Sequence, residues 1–160
     1  MLDFSQMMLR LIVALAVGVI IGFEREAIGK EAGIRTLMSI AAGAALFTII
    51  ALQLPFVFGE FATPSEIISR NGGFFAVIAN IVVGIGFLGA GVIIKNQDHV
   101  HGLTTAAVAW TTAALGIFAG LGMHRFALSA SALLAIILYI LKSLNVARYI
   151  DSKRMDETRG

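Results

Sequence analysis

The sequence predicts an all-α integral membrane bundle of about five transmembrane helices, with most of the chain inside the bilayer. Two observations carry that expectation. First, the stretches 11–23, 36–59, 71–94, 102–123 and 126–141 contain no Asp, Glu, Lys or Arg. They hold 99 of the 160 residues, and all 22 charges fall in the other 61. A soluble domain spreads roughly 25% charged residues round its surface, against 14% here. Second, most of the stretches approach or exceed the ~20 residues that a helix needs to cross the hydrocarbon core. Without water to satisfy backbone groups, a spanning segment is either a helix or a strand of a closed barrel. Barrel strands alternate polar and apolar residues over about ten positions. These stretches are apolar all round, so they read as helices.

Asp3 with Gln6 forms an N-cap pair, and the first helix runs on through Met7–Phe23. Only Arg10 precedes its apolar run and no small-residue cleavage site follows, so it is expected to be a retained span rather than a signal peptide. A polar loop, Glu24–Arg35, leads to a second helix, Thr36–Phe58, with Pro55 near its end. Thr63-Pro-Ser-Glu66 is a capping box with proline at the first helical position. It predicts a short surface helix ending near Asn71-Gly-Gly73. Further spans are Phe74–Ile94, Leu103–Met123 and Phe126–Leu144, with His124-Arg125 as the turn between the last two. The linkers leave no room for a second domain: residues 1–147 form one membrane domain and 148–160 a basic cytoplasmic tail.

Five spans place the termini on opposite sides. One side carries Arg25, Lys30, Arg35, Lys95, Lys142, Arg148, Lys153, Arg154 and Arg159, nine bases; the other carries Arg10, Arg70 and Arg125, three. Positive residues mark the cytoplasmic face, so the N-terminus is expected outside and the C-terminus in the cytoplasm. The net charge of +2 is thereby assigned to one membrane face and not to nucleic acid. The absence of cysteine excludes disulfides, iron–sulfur clusters and thiol chemistry.

Helices in lipid associate through small residues that let backbones approach. Every span has such residues at four-residue spacing: Ala14/Gly18/Gly22, Ser39/Gly43, Val82/Gly86/Ala90, Thr112/Gly116/Gly120 and Ala127/Ser131/Ala135. They serve either contacts within one chain or a homodimer seam, and together they predict a tight bundle. Gly84-Ile-Gly86-Phe-Leu-Gly89 fits G-x-G-x-x-G, but a dinucleotide site also needs a preceding strand, a helix opening at the glycines and a later acid. None is present. Gly84, Gly86, Gly89 and Gly91 more plainly permit backbone approach, or loosen the helix as in transporter cavities.

Chemistry-bearing residues are few. Asp98-His99-Val-His101 offers three weak metal ligands in one loop, and Glu24 and Glu26 are weak candidates for a cation. Glu24-Arg25-Glu26 faces Lys30, Glu31 and Arg35 across a short loop, which reads as a self-neutralising hairpin or as a site where Arg35 orients a carboxylate. The spans add Gln53, Asn80, Thr104, Thr105, Thr111, Thr112 and Trp110, while Arg10 is expected to snorkel to the outer interface. No carboxylate or histidine lies mid-membrane, where proton and cation pathways usually keep one. There is no P-loop and no place for a nucleophile with its base. No enzyme activity and no cofactor are expected.

Two motifs in order carry a resemblance: Gly22-Phe-Glu-Arg-Glu26 continuing through Gly29-Lys30 to Ala32-Gly-Ile-Arg-Thr36, and Gly84-Ile-Gly-Phe-Leu-Gly-Ala-Gly91 followed by Gly102-Leu-Thr-Thr-Ala106, Trp110 and Gly116–Gly122. In these the chain resembles the MgtC/SapB family of bacterial inner-membrane proteins, in a short form without the soluble C-terminal regulatory domain of longer members. The resemblance implies adaptation to low magnesium, acid or a host environment, with Mg²⁺ as ligand or signal. For virulence-associated members it implies inhibition of the F-type ATP synthase through its membrane-embedded proteolipid. The chain departs from the family pattern where Gly73-Phe-Phe-Ala76 replaces Asp-Pro-x-Arg and Asn80 replaces a glutamine. The expected function is a non-enzymatic membrane regulator that contacts another membrane protein. The alternative is a small oligomeric permease or channel for Mg²⁺ or another solute, using Asn80, Thr104 and Thr105.

Overall fold

The computed structural model describes residues 1–57, 64–96 and 99–157, without the side chains at 55, 64–71 and 145–157. Its elements are α1 (Phe4–Ala27), α2 (Ile34–Val57), α3 (Pro64–Val92), β1 (Ile94–Asn96), β2 (His99–His101), α4 (Leu103–Gly120) and α5 (His124–Glu157). Five segments are long and apolar enough to cross a membrane: Phe4–Ala27, Ile34–Leu54, Gly72–Val92, Leu103–Gly120 and His124–Leu144. The chain is a multi-pass helical membrane protein. The expected cap at Thr63 and the candidate ligand Asp98 lie outside the described residues.

α4 is the axis of the bundle. Over its apolar window 56% of residues are buried, against 11% for α5 and 6% for α3. α1 and α2 pack on each other and on α4, α5 lies along α1 and α4, and α3 leans on α4 and the edge of α2. The centre is built from small side chains, with Ala14, Ala41, Ala45 and Ala119 fully or almost fully buried around Val17, Ile21 and Leu37. Lipid tails are as apolar as leucine, so exchanging lipid contacts for large-residue contacts gains little, whereas small residues let whole backbones meet.

Four glycines make those meetings. A Cβ on Gly22 would lie 2.5 Å from the Ile34 Cα, and one on Gly120 would lie 2.7 Å from the Thr48 Cβ; Gly18 presses in the same way on Met38 and Gly116 on Ala41. Gly18 and Gly22 thus join α1 to α2, and Gly116 and Gly120 join α2 to α4. Hydroxyls inside the spans mostly bond back to their own helix. Thr48 donates to the Ala44 carbonyl, Thr112 to Val108 and Ser131 to Leu128, each at 2.8 Å, which satisfies them where no water is present.

Three boundaries differ from the sequence expectation. The short surface helix ending at Asn71–Gly73 is instead the first part of one continuous α3. A helical glycine costs about 1 kcal/mol against alanine. Ending and restarting a helix leaves four unsatisfied amides or carbonyls at each new end, which is worse beside lipid. The glycines at 84–91 likewise stay within the unbroken helix. The turn after α4 is Leu121–Met123 and not His124-Arg125, because Gly122 takes φ +88 and its amide bonds to the Ala119 carbonyl at 2.9 Å. That left-handed conformation ends a helix most easily at glycine. α5 continues past Leu144, where its apolar window ends, to Glu157.

Both ends of the bundle are tied. Arg10 is partly exposed at the end of the bundle where α1 begins. Its Nη1 donates to the Gly120 carbonyl at 2.6 Å, setting a positive charge at the α4 C-terminus, where the helix dipole favours a cation. The Leu2 amide donates to Gln53 Oε1 at 3.0 Å, and Gln53 Nε2 donates to the Leu2 carbonyl at 3.2 Å, holding the N-terminal residues on the end of α2. Asp3 caps α1, with its own amide donating to Gln6 Oε1 at 3.4 Å. The loop between α3 and α4 is an antiparallel hairpin pairing Ile94 with His101, Lys95 with Val100 and Asn96 with His99.

Candidate functional site

The polar residues collect where α1 ends, α2 and α4 begin and α3 ends, all on one side of the bundle. Arg25 is 2% exposed. Its Nη2 donates to Thr105 Oγ1 on α4 at 3.0 Å, and that hydroxyl donates in turn to Glu31 Oε2 at 2.8 Å. Thr105 therefore relays between a buried cation and an exposed carboxylate. The Glu31 carboxyl is held below its ordinary range by its own backbone amide first, then by the Thr105 hydroxyl, with Lys30 and Arg25 adding charge. Thr105 uses its hydroxyl across helices, unlike the back-bonded hydroxyls above.

Glu24 lies next to Arg25 in sequence but makes no hydrogen bond to it. It is 7% exposed, and among the described residues neither carboxylate oxygen has a hydrogen-bond partner; the Arg25 Nε also has none. Glu26 has a local task. Its Oε2 accepts the Ile34 amide at 3.0 Å, placing negative charge on the first amides of α2, where the dipole stabilises it. The turn between them is closed by the amides of Gly29 and Lys30, each donating at 3.0 Å to the carbonyls of Glu26 and Arg25 respectively.

Beside this cluster a groove of about 800 Å³ runs between α2, α3 and α4. Its walls are apolar apart from Thr36, Ser39, Asn80 and Thr105, and the Ser39 hydroxyl is already donated to the Arg35 carbonyl. Of the eight residues singled out from the sequence, Arg25 and Thr105 come together, Asn80 and Thr105 share the groove wall, and Glu24 and Glu26 sit near the cluster in separate roles. Arg35, Thr104 and Trp110 are exposed, with Trp110 beside a smaller crevice that includes Ile81 and Ile85. Glu31 was part of the loop's charge pattern but not singled out. Its link to Thr105 spans 74 positions and leaves no local signal.

Among the remaining candidates, His99 and His101 lie on exposed β2. No three His, Cys, Asp or Glu residues come together among the described residues. Gly89 makes an ordinary contact with Ala106, whereas a Cβ on Gly84, Gly86 or Gly91 would meet nothing within 4 Å. Gly102, between the hairpin and α4, takes φ +85, and a side chain there would run into Val92 and Ile93. That position keeps the α3 end against the α4 start.

The chain is similar to a protein of unassigned function from Haemophilus influenzae, 38% identical over 134 residues, 83% of this chain and 52% of that protein. A "Putative magnesium transporter YhiD" from Escherichia coli K12 is 34% identical over 140 residues, covering 88% of this chain and 62% of that protein. "Protein MgtC" of Brucella abortus is 37% identical over 131 residues, 82% of this chain and 49% of that protein. The chain thus spans about half to two thirds of the length of these relatives. No solved structure matches it. The family model of the MgtC family matches residues 11–147, which take in most of the first span, the other four whole and the Arg25–Thr105–Glu31 cluster: this chain belongs to the MgtC family.

Proposed function

We propose that this chain is a non-enzymatic membrane regulator linked to magnesium limitation, acting by helix–helix contact with another membrane protein. The observation that carries the reading is the outward side of α3. Val83 and Phe87 are 70% and 81% exposed; beside them Ala79, Gly86 and Ala90 are exposed, at the three- and four-residue spacing that lets a second helix approach closely. The magnesium link rests on family membership and on the name of the E. coli relative. The membrane sector of the F-type ATP synthase is the first partner to test, on the family resemblance alone. We place the chain in the bacterial inner membrane with its N-terminus outside, from the nine-to-three distribution of bases. A reporter fused after Gly160 should then be active only in the cytoplasm.

The test is a photo-reactive residue at Val83 in cells starved of magnesium. It should cross-link to another membrane protein, and Gly86→Leu should lower the yield several-fold. Absence of any cross-linked membrane partner, or capture of a second copy alone, would overturn the reading. The groove wall favours a second reading: a small permease whose path runs past Asn80 and Thr105. Flux of Mg²⁺ into proteoliposomes that Asn80→Leu abolishes would select that reading instead.

A further inference from the structure

We propose that the groove between α2, α3 and α4 seats the acyl chains of one anionic phospholipid, drawn from the leaflet on the side of the α1–α2 loop, with Arg35 and Lys95 flanking its headgroup. The proposal is independent of the regulator reading and needs only that the spans lie in lipid. Three features choose this occupant.

The first is depth. One wall runs from Ala32, just before α2, along α2 to Phe47, and the α3 wall from Val92 to Val77. The α3 wall describes a trough of about 22 Å at ~1.5 Å per residue. It enters at the headgroup level and passes the bilayer midplane, since one leaflet contributes about 15 Å of hydrocarbon. The second is the lining. Apart from Thr36, Ser39, Asn80 and Thr105 the walls are apolar, which suits acyl chains, and a hydrated cation would find no carboxylate on them.

The third is charge at the mouth. Arg35 is exposed in the first turn of α2 beside the lining residue Thr36, and Lys95 is exposed on β1 just beyond the lining residue Val92. Glu26 and Glu31 are hydrogen-bonded within the protein, by the Ile34 amide and Thr105, and Glu24 is buried, which leaves the exposed head groups of Arg35 and Lys95 available to a phosphate. Basic residues at a membrane surface attract anionic headgroups.

The probe is intact-mass spectrometry of the protein released from vesicles holding equal phosphatidylglycerol and phosphatidylcholine of identical chain length. One retained phospholipid per chain is expected, enriched in phosphatidylglycerol by up to about 25-fold, at roughly fivefold per base. Arg35→Gln with Lys95→Gln should bring the enrichment near parity while the adduct persists. Gly43→Leu and, on the opposite wall, Gly84→Leu should each remove the adduct. A Cβ at either position meets nothing within 4 Å, so both variants should fold, and an unchanged melting temperature would verify it. No adduct above the bulk lipid ratio, an adduct that survives both groove fillings, or a photo-reactive residue at Asn80 that captures protein and not lipid would each overturn the proposal.

Discussion

Thr105→Val removes one hydroxyl with little change in shape, and the structure says which bonds go with it. Arg25 Nη2 loses its acceptor at 3.0 Å, and Glu31 loses a donor at 2.8 Å. Glu31 is solvent-exposed, so water replaces that donor at little loss. Arg25 is 2% exposed and its Nε already lacks a partner, so water does not replace the acceptor there. A hydrogen bond to a charged group contributes about 1.5–3 kcal/mol net, and taking the middle of that range gives a loss of ~2 kcal/mol. At roughly 2–4 °C per kcal/mol for a chain of this size, the melting temperature in mild detergent should fall by ~4–8 °C. Thr104→Val is the matched control: Thr104 is exposed, and a substitution there should stay within about 0.5 kcal/mol. Equal melting temperatures for the two variants would refute the claim that Thr105 supports the buried arginine.

Two further outcomes follow from the same geometry. Gly116→Val drives a side chain into the Ala41 backbone, and Gly120→Val meets Thr48 and Ala45. Each should cost at least ~1–3 kcal/mol, the usual penalty of overpacking, and should lower the yield of folded protein, whereas Gly86→Val should leave thermal stability unchanged. Size-exclusion profiles and melting curves in one detergent separate these cases. Glu31 has its folded pKa lowered from an ordinary value of 4.5, mainly by its own amide and by Thr105. Its contribution is therefore present above that value and lost as pH falls through the lower folded value. Melting temperature should drop below about pH 4.5, and Glu31→Gln should flatten that part of the profile; a variant that follows the parent's acid limb would remove Glu31 from the account.

Much of the fold was legible because the bilayer imposes it one residue at a time. A segment without charges and about 20 residues long has only the helix open to it, so the five spans follow from where the 22 charges stand. The glycine spacing also anticipated that Gly18, Gly22, Gly116 and Gly120 sit at helix contacts, since only a missing side chain admits a neighbouring backbone. Whether a glycine is used in that way was not legible. Gly84, Gly86 and Gly91 have the same local pattern yet face open space, because α3 lies at the rim while α4 lies at the centre.

Sequence by itself thus determined the solvent of each segment and the number of crossings, both properties of composition and local order, while two motifs carried the family resemblance. Tertiary structure alone decided that Thr105, and not its neighbour Thr104, meets Arg25 across 80 positions. It likewise decided that Arg10 completes the end of α4 110 positions away, and that α2 and α3 part enough to leave a groove. The reason is physical: hydropathy is a property of each residue's own contact with lipid, whereas rotation of one helix against another is set by the summed packing of both, and a hydroxyl one position away in sequence points about 100° elsewhere.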